Sequence, residues 1–171
     1  MAMVHRLGKT HSVDMLTRLL GGANAAHDLV WAPYRTVLLD IGNGHAERLM
    51  SDESGRRLVY WPRVWAARAL AHVGDRETGP ALLAALDDEP WRVRMTATQT
   101  IGRLGIEGAT SHLLQGLSDQ HQRVRSASVL ALQRVGTEDA VERLLQQPVT
   151  GIERSRTERA AAMILDRSAN E

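Results

Sequence analysis

Three groups of residues in this 171-residue chain could do chemistry: seven histidines, a Gly-Lys-Thr triplet near the start, and arginines that return in Arg-x-Arg pairs. A histidine–carboxylate metal centre needs donors that converge from one helix face, as the i and i+4 positions of His-Glu-x-x-His do. His45 and Glu47 are only two apart, and His72, His112 and His121 are scattered without an adjacent Glu. Surface histidines and no bound metal are therefore expected. Gly8-Lys9-Thr10 ends like a phosphate-binding loop, yet that motif's first glycine would fall at Met3, and no strand pattern precedes it. With no cysteine and no Gly-x-Ser-x-Gly elbow, nucleophile-plus-base chemistry has no support either. The chain reads as a non-enzyme that needs no cofactor.

The arginines are more informative. Arg92 and Arg94, Arg123 and Arg125, and Arg154 and Arg156 form three pairs, each 31 residues after the last. On a helical wheel the first members, Arg92, Arg123 and Arg154, point outward, and they should recur every roughly 10 Å if helices stack. Two readings compete. The row is a basic ridge for an acidic peptide or a nucleic-acid backbone, or it is solvated surface neutralised by neighbours such as Asp87 and Glu89. A net charge of only +1 favours the second. Trp61, Trp65 and Trp91 cluster nearby, either as core filler or as binding anchors. Trp91, in a loop after Pro90, is the best anchor of the three.

These side chains must be positioned by a repeat. Gly74, Gly105 and Gly136 are 31 apart; so are Leu70, Ile101 and Leu132, and the pairs Leu82-Leu83, Leu113-Leu114 and Leu144-Leu145. A fixed period in this range marks a solenoid whose units bury a shared core. Val93, Ala97, Thr100, Ile101 and Leu104 share one face at 3.6-residue spacing and predict a first helix ended by Gly105 in the left-handed conformation. A second helix is predicted near 109–117. The next unit repeats both, over 124–135 and 137–147, and the preceding unit begins at Pro62. A last first-helix copy is predicted over 155–166, with Ala162-Met163 in the phase of Ala131-Leu132. Four parts follow: an N-terminal helical cap over 1–32, with a helix over 12–20; a degenerate repeat over 33–61; three regular units over 62–154; and a C-terminal capping helix and tail over 155–171.

Val93-Arg94-x-x-Ala97-x-x-Thr100-Ile101-Gly102-x-Leu104-Gly105 resembles the HEAT repeat, in the short subtype named after phycobilisome lyases, and the string from Val124 to Gly136 resembles it equally. The resemblance implies an all-α, right-handed α-α superhelix of stacked helical hairpins. It also implies a ladder in which Asp88 and Asp119, ending second helices, bond Arg94 and Arg125, opening the next first helices six residues later. Thr150 replaces the Asp expected before Arg156.

In such stacks the second helices line the concave side, whose outward columns here are Ala81 and Ala84, His112 and Gln115, and Arg143 and Gln146. The leading functional reading is a scaffold that binds a partner protein there, with Trp91 and the outward arginines as further contacts. Nucleic-acid or acidic-peptide binding through the arginine row is one alternative, and a bilin-lyase-like subunit is another. No apolar run reaches the ~18 residues of a membrane span, and no secretory h-region precedes Ser12. A bacterial-type cytoplasmic protein without a membrane partner is expected.

Overall fold

The structure, a computed structural model, describes residues 8–21, 60–149 and 151–170. The degenerate repeat expected over 33–61 lies outside them except for its last two residues, as do His45, Glu47 and Thr150. Among the described residues every regular element is helical. They comprise α1 (Lys9–Leu20), α2 (Trp61–Val73), α3 (Gly79–Ala84), α4 (Trp91–Leu104), α5 (Thr110–Gly116), α6 (Gln122–Val135), α7 (Asp139–Leu145) and α8 (Gly151–Ser168), with 3-10 turns at Arg76–Thr78 and Ala85–Asp87.

Two layers result, as a HEAT-like solenoid requires. The long helices α1, α2, α4, α6 and α8 pack in that order, each on the next. The short helices form the second layer, and each lies closest to the long helix of the following unit: α3 on α4, α5 on α6, α7 on α8. Phase-equivalent residues do the burying. Leu70, Ile101 and Leu132 are fully buried, and Leu82, Leu113 and Leu144 are at most 1% exposed. The second leucine of each pair behaves differently. Leu114 is buried between neighbouring units, whereas Leu145, at the outer end of the short layer, is 51% exposed.

The three phased glycines end α2, α4 and α6, and each donates its N–H four residues back, to Leu70, Ile101 and Leu132. Only Gly105 takes the left-handed conformation, with φ 67°, where a Cβ would be strained. Gly74 and Gly136 are extended; there a side chain would instead collide with the carbonyl oxygens of Leu70 and Leu132. One spacing thus serves two physical needs. Within α4, a Cβ on Gly102 would sit 2.9 Å from the Ala131 Cα, so the α4–α6 contact depends on its being small.

The last helix departs from the period. It starts at Gly151 rather than 155 and buries Thr157, Ala160, Ala161 and Ile164, leaving Ala162 and Met163 exposed. Its C-terminal end is tied to α6. The Arg167 guanidinium donates to the carbonyls of Gln133, Arg134 and Gly136, capping α6, while Ile164 packs over Gly136. Just before α7 the Thr137 hydroxyl donates to the Asp139 carboxylate.

Two leucines on one helix separate burial from composition. Leu132→Ala should cost about 2–5 kcal/mol by removing fully buried methyls, and Leu130→Ala, at a position 50% exposed, should stay within about 0.5 kcal/mol. Urea unfolding followed by far-UV CD measures both.

Candidate functional site: a laddered edge and an aromatic–arginine ridge

One edge of the stack carries paired charges, and the pairing differs from the six-residue expectation. Each arginine bonds the carboxylate 25 residues ahead, at the far end of its own unit. Arg63 holds Asp88 through Nε at 2.7 Å and Nη2 at 3.0 Å, and Arg94 holds Asp119 with the same two distances. The residue six positions back contributes its main chain. Arg94 Nη1 donates to the carbonyls of Asp88 and Glu89 at 2.8 and 2.7 Å, and Arg125 Nη1 to those of Asp119 and Gln120. A guanidinium has five donors in a flat fork, so one side chain can clamp a carboxylate and two carbonyls together. Arg94 therefore ties the opening of α4 both to the preceding turn and to the turn that ends its own unit, whereas Arg63 makes only the carboxylate bond and Arg125 only the carbonyl bonds among the described residues.

Arg63 is a rung that sequence reasoning missed, although it stands 31 residues before Arg94. Arg125 has a Thr, residue 150, at the spacing where the others have Asp. Burial pushes the Asp119 carboxyl up, but the Arg94 hydrogen bonds and the His121 N–H together outweigh it and leave the group below its ordinary value of 3.8. Arg94 moves the opposite way, raised chiefly by its hydrogen bonds to Asp119 against the opposing effect of burial.

The ridge beside the ladder is built from rings. Trp91 opens α4 and stacks on His121 with ring centres 3.7 Å apart and 9° between planes. His121 is the N-cap of α6: its Nδ1 accepts the Arg123 N–H at 3.2 Å, which leaves the neutral ring's proton on Nε2. The Arg92 guanidinium stands over Trp91 at 4.4 Å and lies 5.8 Å from Trp61, which in turn stacks on Tyr60 and Trp65. Arg123 lies 5.7 Å from the Trp91 ring centre. The three outward arginines are thus not a uniform row. Arg92 is half-buried among rings, Arg123 is exposed, and Arg154 is exposed but pairs with Glu158 at 3.7 Å. Neither Asp87 nor Glu89 neutralises any of them within the described residues.

Two open clefts meet at this edge. One, of about 410 Å³, is lined by His112 and Gln115 together with Asp87, Asp88, Asp119 and Ser118. The other, of about 450 Å³, is lined by Tyr60, Pro90, Trp91 and His121. Glu89, Arg94 and Gln120 line both, so the ladder forms a shared wall. His112 and Gln115 are brought together with Asp88, Arg94 and Asp119, and Trp91 lies next door. Ala81, Ala84, Arg143 and Gln146 line neither cleft; Ala81 packs against the core, and the other three are exposed. Tyr60 lines the second cleft although nothing in the sequence marked it, and His121, expected only as a surface histidine, lines it too. Among the described residues no group of three or more His, Asp or Glu side chains is placed to hold a metal ion, and no helix is long and apolar enough to cross a membrane.

The Arg94–Asp119 side chains are 19% and 11% exposed, between the surface and buried limits for ion pairs. Asp119→Asn should cost roughly 2 kcal/mol at neutral pH. A carboxyl depressed by folding stabilises above its unfolded pKa and loses that contribution as pH falls through the folded value. The gap between wild type and Asp119→Asn should therefore be full near pH 7 and shrink below about pH 4, as urea titrations at several pH values would show.

Residues 60–133 match the family model for HEAT repeats, a span that takes in the two carboxylate rungs and the Trp91–Arg123 ridge. No curated protein matches the chain.

Proposed function

We propose that this chain is a non-catalytic scaffold that binds a partner protein along the edge where the two clefts meet. The carrying observation is the continuity of that edge. Residues of the short-helix face, His112 and Gln115, and residues of the ridge, Trp91 and His121, flank one wall held rigid by Arg94 and Asp119. A rigid wall limits the ordering cost of association. Tryptophan, tyrosine and arginine, which dominate binding energy at interfaces, are concentrated on one side of it. The match to HEAT repeats supports a binding role, and the 31-residue unit supports the short, phycobilisome-lyase-named subtype.

Within this reading α1 closes one end of the stack by packing on α2, and α8 closes the other by covering α6 and α7. The absence of a spanning helix among the described residues accords with a cytoplasmic site of action. Ala84, Arg143 and Gln146 form an outer margin that a larger partner would reach.

Affinity capture from the native host tests the proposal. Wild-type protein should retain a defined partner, and His112→Glu/Gln115→Glu should retain at least tenfold less of it with an unchanged far-UV CD spectrum. Equal capture by the variant would remove the cleft from the interface. Failure of the wild type to capture any protein would overturn the scaffold reading.

A further inference from the structure

We propose that Arg92 and Arg123, both close to the Trp91 ring, with His121 beside it, form a docking site for an acidic segment of the partner protein. The proposal rests on the scaffold reading and specifies what the ridge would grip.

Two arginines of the ridge carry unmatched charge. Arg63, Arg94 and Arg154 each have a carboxylate in ion-pair range, whereas Arg92 and Arg123 have none among the described residues. Arg92 is half-buried, and its one side-chain hydrogen bond is a long contact to the Tyr60 hydroxyl at 3.4 Å. A partly desolvated guanidinium with unused N–H donors is costly without a countercharge, and ring faces compensate it only in part. Both guanidiniums lie within 6 Å of the Trp91 ring centre, so they are at most about 10 Å apart. An anion placed against this edge would relieve their mutual repulsion.

The surroundings supply the rest of the site. His121 offers its Nε2–H, because Nδ1 is already occupied by the Arg123 main chain. The N-termini of α4 and α6, each 14 residues long, turn positive dipole ends toward the same edge. Arginine forks favour the flat carboxylate group, and Trp91, stacked on His121 with Arg92 over its ring, holds the guanidinium close to the imidazole.

The same geometry disfavours a nucleic-acid backbone. A phosphate track needs a run of unpaired cations, and the ridge ends after two. One unit further on, Gln122 bonds Glu153 at 2.6 Å and Arg154 is taken by Glu158. Glu89 is the one acid among the described residues that line the cleft beside Trp91; it restricts the positive field to the Arg92–Arg123 side.

The test uses the full chain and a fluorescein-labelled decapeptide of alternating Glu and Gly at 50 mM NaCl, read by anisotropy. Saturable binding is expected, weakened at least tenfold in Arg92→Gln/Arg123→Gln and at least threefold in Arg123→Gln alone, whose exposed side chain leaves the fold intact. Arg154→Gln should bind within twofold of wild type. A Lys-Gly decapeptide should not bind. Absence of binding by the Glu-Gly peptide, or equal binding by the double variant, would overturn the proposal, and so would equally tight binding of a 15-mer of thymidine. Loss of peptide binding alongside intact, cleft-dependent partner capture would sink the acidic-segment site and leave the scaffold standing. Peptide binding without capture of any protein would do the reverse.

Discussion

No hairpin of this protein can cover its own apolar stripe, and that shortage organises the rest. Each short helix spans only six or seven residues and has its closest packing on the long helix of the following unit. Burial is therefore completed between units, and Leu82, Leu113 and Leu144 are sealed only because the stack continues past them. An amphipathic helix this short is not stable alone. Stacking in register is what makes it a helix at all. The register must then be held tightly, since the α4–α6 contact closes over Gly102 and Ala131 with no room for one added carbon.

The ladder meets that requirement where apolar surface runs out. At the first turns of α4 and α6 the chain has just crossed from the short layer, and main-chain carbonyls at 88, 89, 119 and 120 face the next helix without helical partners. Leaving such groups buried and unpaired would cost more than the net gain of an ordinary hydrogen bond. Arg94 and Arg125 answer the carbonyls, and Arg63 and Arg94 each hold a carboxylate. Thr100 does the equivalent inside the core, where its hydroxyl crosses from α4 to the Ala67 carbonyl of α2. Every buried side-chain polar atom among the described residues has such a partner. These bonds add modest stability but permit only one alignment of neighbouring units.

The fold was legible because it is written three times. A single Leu or Gly says little, but Leu70, Ile101 and Leu132 recurring with Gly74, Gly105 and Gly136 fix helix, break and buried face together. What the period could not give was anything that depends on geometry across units. The carboxylate partner of Arg94 is 25 residues ahead, not six behind, because the hairpin brings the far end of the same unit back to its start. Ile164 rather than Met163 is buried because it packs over Gly136 at the end of α6, which Arg167 also bonds, a contact across units that the 31-residue phase does not specify. The histidine reading was blind in another way. His121 has no ligand spacing, and its role as ring partner and helix cap comes from Trp91, 30 residues away, which no local pattern connects to it.

Functional information in a repeat array lies where equivalent positions differ. Arg92 and Arg94 are two residues apart, so a helix turns them about 200° from each other. One is spent on the ladder and the other on indoles, although the sequence writes them as a matched pair. The position that opens each unit runs Tyr60, Trp91, Gln122 and Glu153 along the stack. The first two are rings, Tyr60 stacking on its neighbour Trp61 and Trp91 on His121, while the last two hydrogen-bond to each other. The ladder tolerates this drift, because Arg63, Arg94 and Arg125 recur at the same position of each unit while the outer residue changes. Selection on a binding surface could act on the outer position without disturbing register, and the change from ring to amide to carboxylate marks where the aromatic–arginine surface ends.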